Sequence, residues 1–364
     1  MQLLKIDCLG RELRLEGSMA GWQALYWDNQ LVSQHDAKAD PSTSAVHCFQ
    51  LTAGERVLNC ELTLELVWQP FSLGYSLLVN DGESEELIGQ GQLGEKDIET
   101  QVIEHRPKRP NKLSLLGLGS LALKLFKSAK VLKVLFAAGS LAAYTWLFSI
   151  QFAIALILCL VFHEYGHIRA MKRFGLKTKG IYLIPFVGGL ALSDDRINTR
   201  WQDVYISIMG PFFGLLLSCA CLVVYWLTDI ELFAGLAAFN ALLNLFNLLP
   251  VLPLDGGHIL KSIAFSVNSV IGLVCCVLGA VTGVVLSYYF NLTLLGFLLA
   301  IGSLEIVFEW RGRHVSDLLP LDRYGQLVSA LWYFGTVGSL CAVIWVLAQG
   351  DNQALALPMK ILGS

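Results

Sequence analysis

The chain has 364 residues, of which 55% are hydrophobic and only 15% charged. Soluble domains carry about 25% charged residues, so this balance and a mean hydropathy of +0.57 exclude an ordinary soluble enzyme and point to a membrane protein. The formal net charge of −3 is uninformative by itself, and no long basic run points to a nucleic-acid partner.

Residues 1–105 are the polar part. They alternate with period two at Leu13-Arg14-Leu15-Glu16, from Glu61 to Trp68 and from Tyr75 to Val79, with turn signals at Asp28-Asn29, Ala53-Gly54 and Asn80-Asp81-Gly82. Short strands at this spacing predict a small antiparallel β-sandwich. His35 and His47 read as surface or half-buried strand residues without a metal role. Of the nine cysteines, Cys8, Cys48 and Cys60 lie here, an odd number, and no C-x-x-C pair occurs, which fits a reducing compartment. No basic segment precedes an apolar core at the N-terminus, so no signal peptide is read and the domain is expected in the cytoplasm, open to a ligand or protein partner. The segments YWDNQLV, HCFQL and YSLLVNDG resemble domains like the Fas apoptosis inhibitory molecule, a likeness on which no function rests.

Residues 106–133 begin with the proline-broken basic linker Arg106-Pro107-Lys108-Arg109-Pro110. Lys124, Lys127, Lys130 and Lys133 then recur on one broad helix face, which suits either an amphipathic helix on an anionic membrane surface or a solvated connecting helix. A transmembrane domain is expected over 134–349, followed by a tail at 350–364. The apolar run 134–162 is too long for one span of ~20 residues, and a turn near Trp146-Leu147-Phe148-Ser149 would divide it into two. Further spans are read at 204–227, 233–249, 270–290, 294–310 and 327–347, about seven in all. Lys172, Arg173, Arg311 and Arg313 mark cytoplasmic ends, and Asp229 and Glu231 fit the opposite side. The fold class is therefore a polytopic α-helical membrane protein with an N-terminal all-β soluble domain, integral to a membrane, expected to be a bacterial inner membrane. Between the spans, 180–192 is apolar but broken by Pro185 and Gly188-Gly189, and reads as a short hairpin at membrane depth.

The chemistry lies in His163-Glu164-Tyr165-Gly166-His167. On a helix the two histidines share a face one turn apart and can bind one metal ion, with Glu164 beside it to take a proton from water. Ionisable groups on so apolar a segment are costly unless they serve a function. A second cluster runs from Asn247 through Pro250 and Pro253 to Asp255-Gly256-Gly257. Asp255 falls on the same side of the membrane as the histidines and can supply a third ligand, or merely cap a helix. Two histidines and a carboxylate leave a fourth zinc position open, as catalytic sites do. His258, near Asp255, reads as a supporting residue behind the site or merely an interfacial one, Glu305 and Glu309 as ion-pair partners of Arg311 or Arg313, and Cys275-Cys276 as apolar packing.

These two motifs resemble the site-2 protease family of intramembrane zinc metalloproteases, whose first motif is His-Glu-x-x-His and whose second is Asn-x-x-Pro-x-Pro-x-x-Asp-Gly. Asn247, Pro250 and Asp255 stand where that pattern has them. Leu252 replaces a proline, and Gly214, after the family-like Gly210-Pro211, stands where an asparagine is common. The resemblance covers about 134–310. It implies one Zn²⁺ per chain held by His163, His167 and Asp255, Glu164 as general base, and Asn247 holding the substrate carbonyl or oxyanion.

The expected function is an intramembrane endopeptidase that cuts a single-span membrane protein near its cytoplasmic end. A membrane metal carrier would want ligands at several depths, and an inactive adaptor would not need the intact set. A substrate must be extended before it is cut, and Ile181, Tyr182, Leu183 and Ile184 are β-prone and near the motif. They are expected to offer an edge to which the substrate adds as a strand; the alternative is a hairpin that only seals the cavity.

Overall fold

The structure is a computed structural model and describes residues 1–18, 21–36, 44–53, 56–80, 84–101, 129–147, 150–184, 188–193, 195–289, 296, 299, 302–303 and 318–349. The basic linker, most of the expected span 294–310 with Arg311 and Arg313, and the tail 350–364 lie outside these residues.

The polar first third forms two antiparallel meanders. One sheet holds β1 (Gln2–Cys8), β2 (Arg11–Gly17), β3 (Gln23–Trp27) and β4 (Gln30–His35) in that order. The other holds β5 (Ser44–Ala53), β6 (Arg56–Trp68), β7 (Phe71–Asn80) and β8 (Glu85–Gly94) in that order. Period-two alternation builds the shared core: Leu62, Leu64 and Leu66 are buried, while Glu61 before them and Glu65 between them are exposed. The opposed sheet contributes Leu3, Leu13, Leu15 and Leu25 to the same cluster. Asp28 and Asn29 both take positive φ (46° and 67°), the conformation a two-residue hairpin turn needs.

His47 departs from its expected surface or half-buried place. It is fully buried, with Nδ1 2.9 Å from Ser33 Oγ, Nε2 2.9 Å from Gln23 Oε1, and its ring edge-on to His35 at 4.3 Å.

A short helix α1 (Glu95–Thr100) closes the domain and docks it on the membrane part. Helix ends leave carbonyls without intrahelical partners. Asn198 Nδ2 donates to Ile98 O (3.0 Å) and Gln101 O (2.7 Å), and Gln202 Nε2 to Glu99 O (3.2 Å). Gln69 Nε2 reaches Ser266 O and Leu321 O at 3.0 and 2.9 Å. Leu319, 1% exposed, belongs to the core of the β domain although it lies far along the chain.

The membrane part begins with α2 (Ala129–Leu147) and α3 (Ile150–Arg173), on either side of the expected turn. Lys130 and Lys133 lie in the first turns of α2. The helix α3 does not stop at the motif: His163 to His167 sit within it, and it runs on to the basic pair Lys172 and Arg173. A hairpin of β9 (Thr178–Ile184) and β10 (Gly188–Ser193) follows, then α4 (Arg200–Thr228), α5 (Glu231–Asn247), α6 (Asp255–Val267), α7 (Ser269–Tyr289) and α8 (Arg323–Gln349). Thr199 caps α4 by accepting from Gln202 N, and Pro211 lies inside that helix. Among the described residues four helices are long and apolar enough to cross a membrane: α3, α4, most of α7 and α8. The expected seven spans are not established by this count; α5, with 17 residues, is shorter than a full span. Exposed Val270, Val274, Leu278 and Val281 on α7 form the apolar outer face that lipid would cover.

Burial, reinforced by His35, lowers the His47 imidazole from its ordinary 6.5 to about 4. A base held neutral in the fold but free to protonate when unfolded adds stability that is complete above pH 6.5 and lost as pH falls toward 4. The loss should reach on the order of 3 kcal/mol. Hydrogen exchange of β5 amides in the full-length protein, corrected for intrinsic rate, measures it; protection that stays flat across that pH range contradicts the assignment.

Candidate metal centre

Helix geometry brings His163 and His167 together on one face of α3, their Nε2 atoms 3.1 Å apart. Asp255 arrives from the first turn of α6, where a helix N-terminus favours a carboxylate. Its Oδ2 lies 3.2 Å from His163 Nε2 and 3.5 Å from His167 Nε2. Asp255 is thus both the helix-start residue and the third member of the trio. All three are drawn from buried or half-buried positions.

The hydrogen-bond polarity shows what this trio suits. The Ile206 carbonyl can only accept, and it stands 2.7 Å from His167 Nδ1, so that nitrogen carries the hydrogen and Nε2 presents a lone pair. His163 Nδ1 likewise faces an oxygen, Asn244 Oδ1, at 2.8 Å. Asp255 Oδ2 is buried and receives no hydrogen bond. With both imidazoles neutral, three acceptor atoms therefore converge with no proton donor between them, an arrangement that a bound metal ion or an added proton relieves. A tetrahedral zinc ion sets its nitrogen and oxygen ligands about 3.3 Å apart, close to the three separations seen here. The residues fit a zinc ion.

Two glycines shape this space. A methyl group on Gly210 of α4 would lie 2.3 Å from His167 Nε2 and 2.8 Å from His163 Nε2, inside the cradle. A methyl on Gly166, between the histidines, would meet the Met209 carbonyl at 2.2 Å. Their missing side chains let α3 and α4 cross backbone to backbone. Pro211 removes the N–H that would bond Ser207 O, opening the ladder of α4 beside the carbonyl that Ile206 gives to His167. At the second motif, methyls on Gly256 and Gly257 would strike the backbone of Leu248 and Val251, so the 248–254 loop folds directly onto α6.

Glu164 is 6% exposed. Strand β10 lies on it: a methyl on Gly189 would come within 2.3 Å of Glu164 Cγ and 2.6 Å of Oε1. Asn247 is half-buried at the end of α5 and bonds to none of the trio. His258 turns instead toward Asp203 of α4, at 3.9 Å. Asn244 is the site residue that motif reading missed. Its signal was present: Asn240, Asn244 and Asn247 recur at helical spacing in an otherwise apolar helix, a polar stripe that faces something polar.

Ile181 to Ile184 form β9 as expected, and both of its edges meet neighbours. One edge pairs with β10, Tyr182 opposite Leu190. On the other, α2 supplies donors: Ser140 Oγ to Leu183 O at 3.0 Å and Lys133 Nζ to Lys179 O. Since Leu183 points toward α2, alternation turns Tyr182 and Ile184 toward β10, and leaves Gly189 and Ala191 facing outward on the far edge of β10. No described residue bonds to that edge.

A buried trio that could hold one metal ion, with a carboxylate alongside, is thus set among helices apolar enough to span a bilayer. Residues 151–230 and 227–272, about a third of the chain, match the model of Peptidase family M50. Similar proteins include putative zinc metalloprotease sll0528 of Synechocystis sp., 37% identical over 130 residues, which is 34% of this chain and 34% of the relative. Zinc metalloprotease MJ0392 of Methanocaldococcus jannaschii is 35% identical over 115 residues, 30% of this chain and 33% of the relative. Stage IV sporulation protein FB of Bacillus subtilis is 26% identical over 187 residues, 47% of this chain and 63% of the relative. The chain thus spans about a third of the length of the first two relatives.

The cradle predicts that Gly210→Ala, whose methyl would take the ion's place, abolishes zinc uptake as completely as His167→Ala. Elemental analysis of purified protein should give close to one zinc per wild-type chain and almost none in either variant. A full zinc complement in Gly210→Ala contradicts the site as drawn.

Proposed function

We propose that this chain is a zinc endopeptidase that hydrolyses a peptide bond in the transmembrane segment of a single-span membrane protein, as in regulated intramembrane proteolysis. The observation that carries this reading is the convergence of His163, His167 and Asp255 beside the buried Glu164. His163 lies ten residues before Arg173 on α3, roughly 15 Å along the helix from its basic end. The names of the first two relatives contain zinc metalloprotease and support the choice of metal and reaction. A carrier would need ligands at successive depths, whereas one cluster of this kind occurs among the described residues.

Bound zinc supplies Lewis acidity toward a water molecule and toward the peptide carbonyl. Glu164 then takes a proton from the water as its oxygen adds to the carbonyl carbon, and returns that proton to the amide nitrogen as the C–N bond breaks. Asn247 shares a helix face with Asn244, which reaches His163, and from there its amide donates to the developing oxyanion. The β9–β10 hairpin holds the substrate extended. The free edge is that of β10, and its outward-facing Gly189 is the residue that touches Glu164, so a strand added there runs past the base.

The N-terminal domain docks at the end of the helices where Lys172, Arg173, Arg200 and Arg323 gather, which under the positive-inside rule is the cytoplasm. It is the part open to a soluble ligand or protein. The membrane is the bacterial inner membrane in this reading.

Three substitutions test the mechanism with a validated single-span substrate. Glu164→Gln should keep its zinc and lose cleavage by about 10²-fold or more. Gly189→Ala, which pushes Glu164 aside, should do the same. Ala191→Pro deletes only an outward donor of β10 and should slow cleavage without changing zinc content or expression. Wild-type rates in Glu164→Gln remove Glu164 from its role, and wild-type rates in Ala191→Pro remove β10 as the receiving edge.

A further inference from the structure

Behind His163, two amides and a hydroxyl form a hydrogen-bonded chain with one possible direction. Asn240, Asn244 and Ser218 are all completely buried. Asn240 Nδ2 lies 2.6 Å from the Gly214 carbonyl and 2.8 Å from Ser218 Oγ. A carbonyl only accepts, so the amide of Asn240 must point its nitrogen there and its oxygen the other way. Asn244 Nδ2 then donates to Asn240 O at 2.7 Å and to Asn240 Oδ1 at 3.1 Å. That leaves Asn244 Oδ1 for His163, 2.8 Å from Nδ1. The polarity set by one backbone carbonyl on α4 thus passes through two amides of α5 and reaches the imidazole on α3.

We propose that Asn244 is a positioning residue for His163: it keeps the hydrogen on Nδ1 and fixes the ring plane, so that the Nε2 lone pair faces His167 and Asp255. The inference rests on the reading of this trio as a metal site. Metal-bound histidines generally donate their other ring hydrogen to such a partner, which holds both tautomer and orientation. Ile206 O does this for His167, and Asn244 does it for His163. Gly214 is part of the same device. A methyl at that position would lie 2.1 to 2.2 Å from the Asn244 Nδ2, Cγ and Oδ1 atoms, so the amide of Asn244 occupies the space a side chain at 214 would take. Where the resembling family commonly carries an asparagine on α4, this chain has a glycine there and brings the amide from α5.

The test separates the hydrogen bond from the packing. Asn244→Ala removes the bond and leaves a gap; Gly214→Ala with Asn244→Ala refills part of that gap without restoring the bond. Zinc affinity of the purified full-length protein is measured by chelator competition, and the visible spectrum of the Co²⁺-substituted protein reports ligand geometry. Both variants should bind zinc about 10- to 100-fold more weakly than wild type and show a shifted cobalt spectrum. The double variant should recover thermal stability relative to Asn244→Ala while its zinc affinity stays low. Wild-type zinc affinity in Asn244→Ala, or affinity in the double variant that recovers together with stability, overturns the proposal. A wild-type protein that takes up no zinc at all refutes the metal reading beneath it, a result distinct from either.

Discussion

The crossing of α3 and α4 is the contact from which the site follows. Where Gly166 meets the Met209 carbonyl, two helices touch through their backbones, and the next residue of α4, Gly210, is brought over both imidazoles. Packing of this kind is how helices associate in lipid, where lipid tails compete equally for apolar side chains and close approach of small residues decides. The crossing also brings the Ile206 carbonyl within 2.7 Å of His167. One close approach therefore closes the cradle and orients one of its ligands. A larger residue at either glycine would separate the helices and undo both effects.

Legibility in the sequence followed the range of the interaction. His163 and His167 are related by a single helical turn, so spacing alone placed them together. Asp255 could be assigned to their side because the run of apolar segments between them has a definite sense. What could not be read was which backbone would lie against which side chain. The approach of Gly189 to Glu164 depends on the path of a hairpin, and the open edge of that hairpin depends on where α2 sets Ser140 and Lys133. Ile181 to Ile184 have the composition of a strand, and composition does not say which edge a neighbour covers. His47 is a different case. It shares strand parity with the buried Phe49 and Leu51, so the alternation of β5 already assigned it to the core face.

Buried polar groups in the membrane part are costly singly and tolerable in closed sets. Asn240 and Asn244 lie in an otherwise apolar helix, yet both amide nitrogens and both amide oxygens are partnered. The carboxylate oxygen Oδ2 of Asp255 is left without a donor in the same region, beside the buried Glu164. The contrast divides the polar residues of this interior into those that hold the structure and those that await a reactant or an ion.

Leu319 has a consequence for how the protein is made. It completes the hydrophobic core of a domain whose strands end by residue 94, yet it is translated more than two hundred residues later. Synthesis runs from the N-terminus, and domains fold as they emerge. The β domain therefore waits, with an apolar gap in its core, while most of the membrane helices are laid down. Its closure is a late event in biogenesis, and a chain that stalls or is cut before residue 319 carries a β domain with unsealed apolar surface, the feature by which quality control distinguishes unfinished proteins.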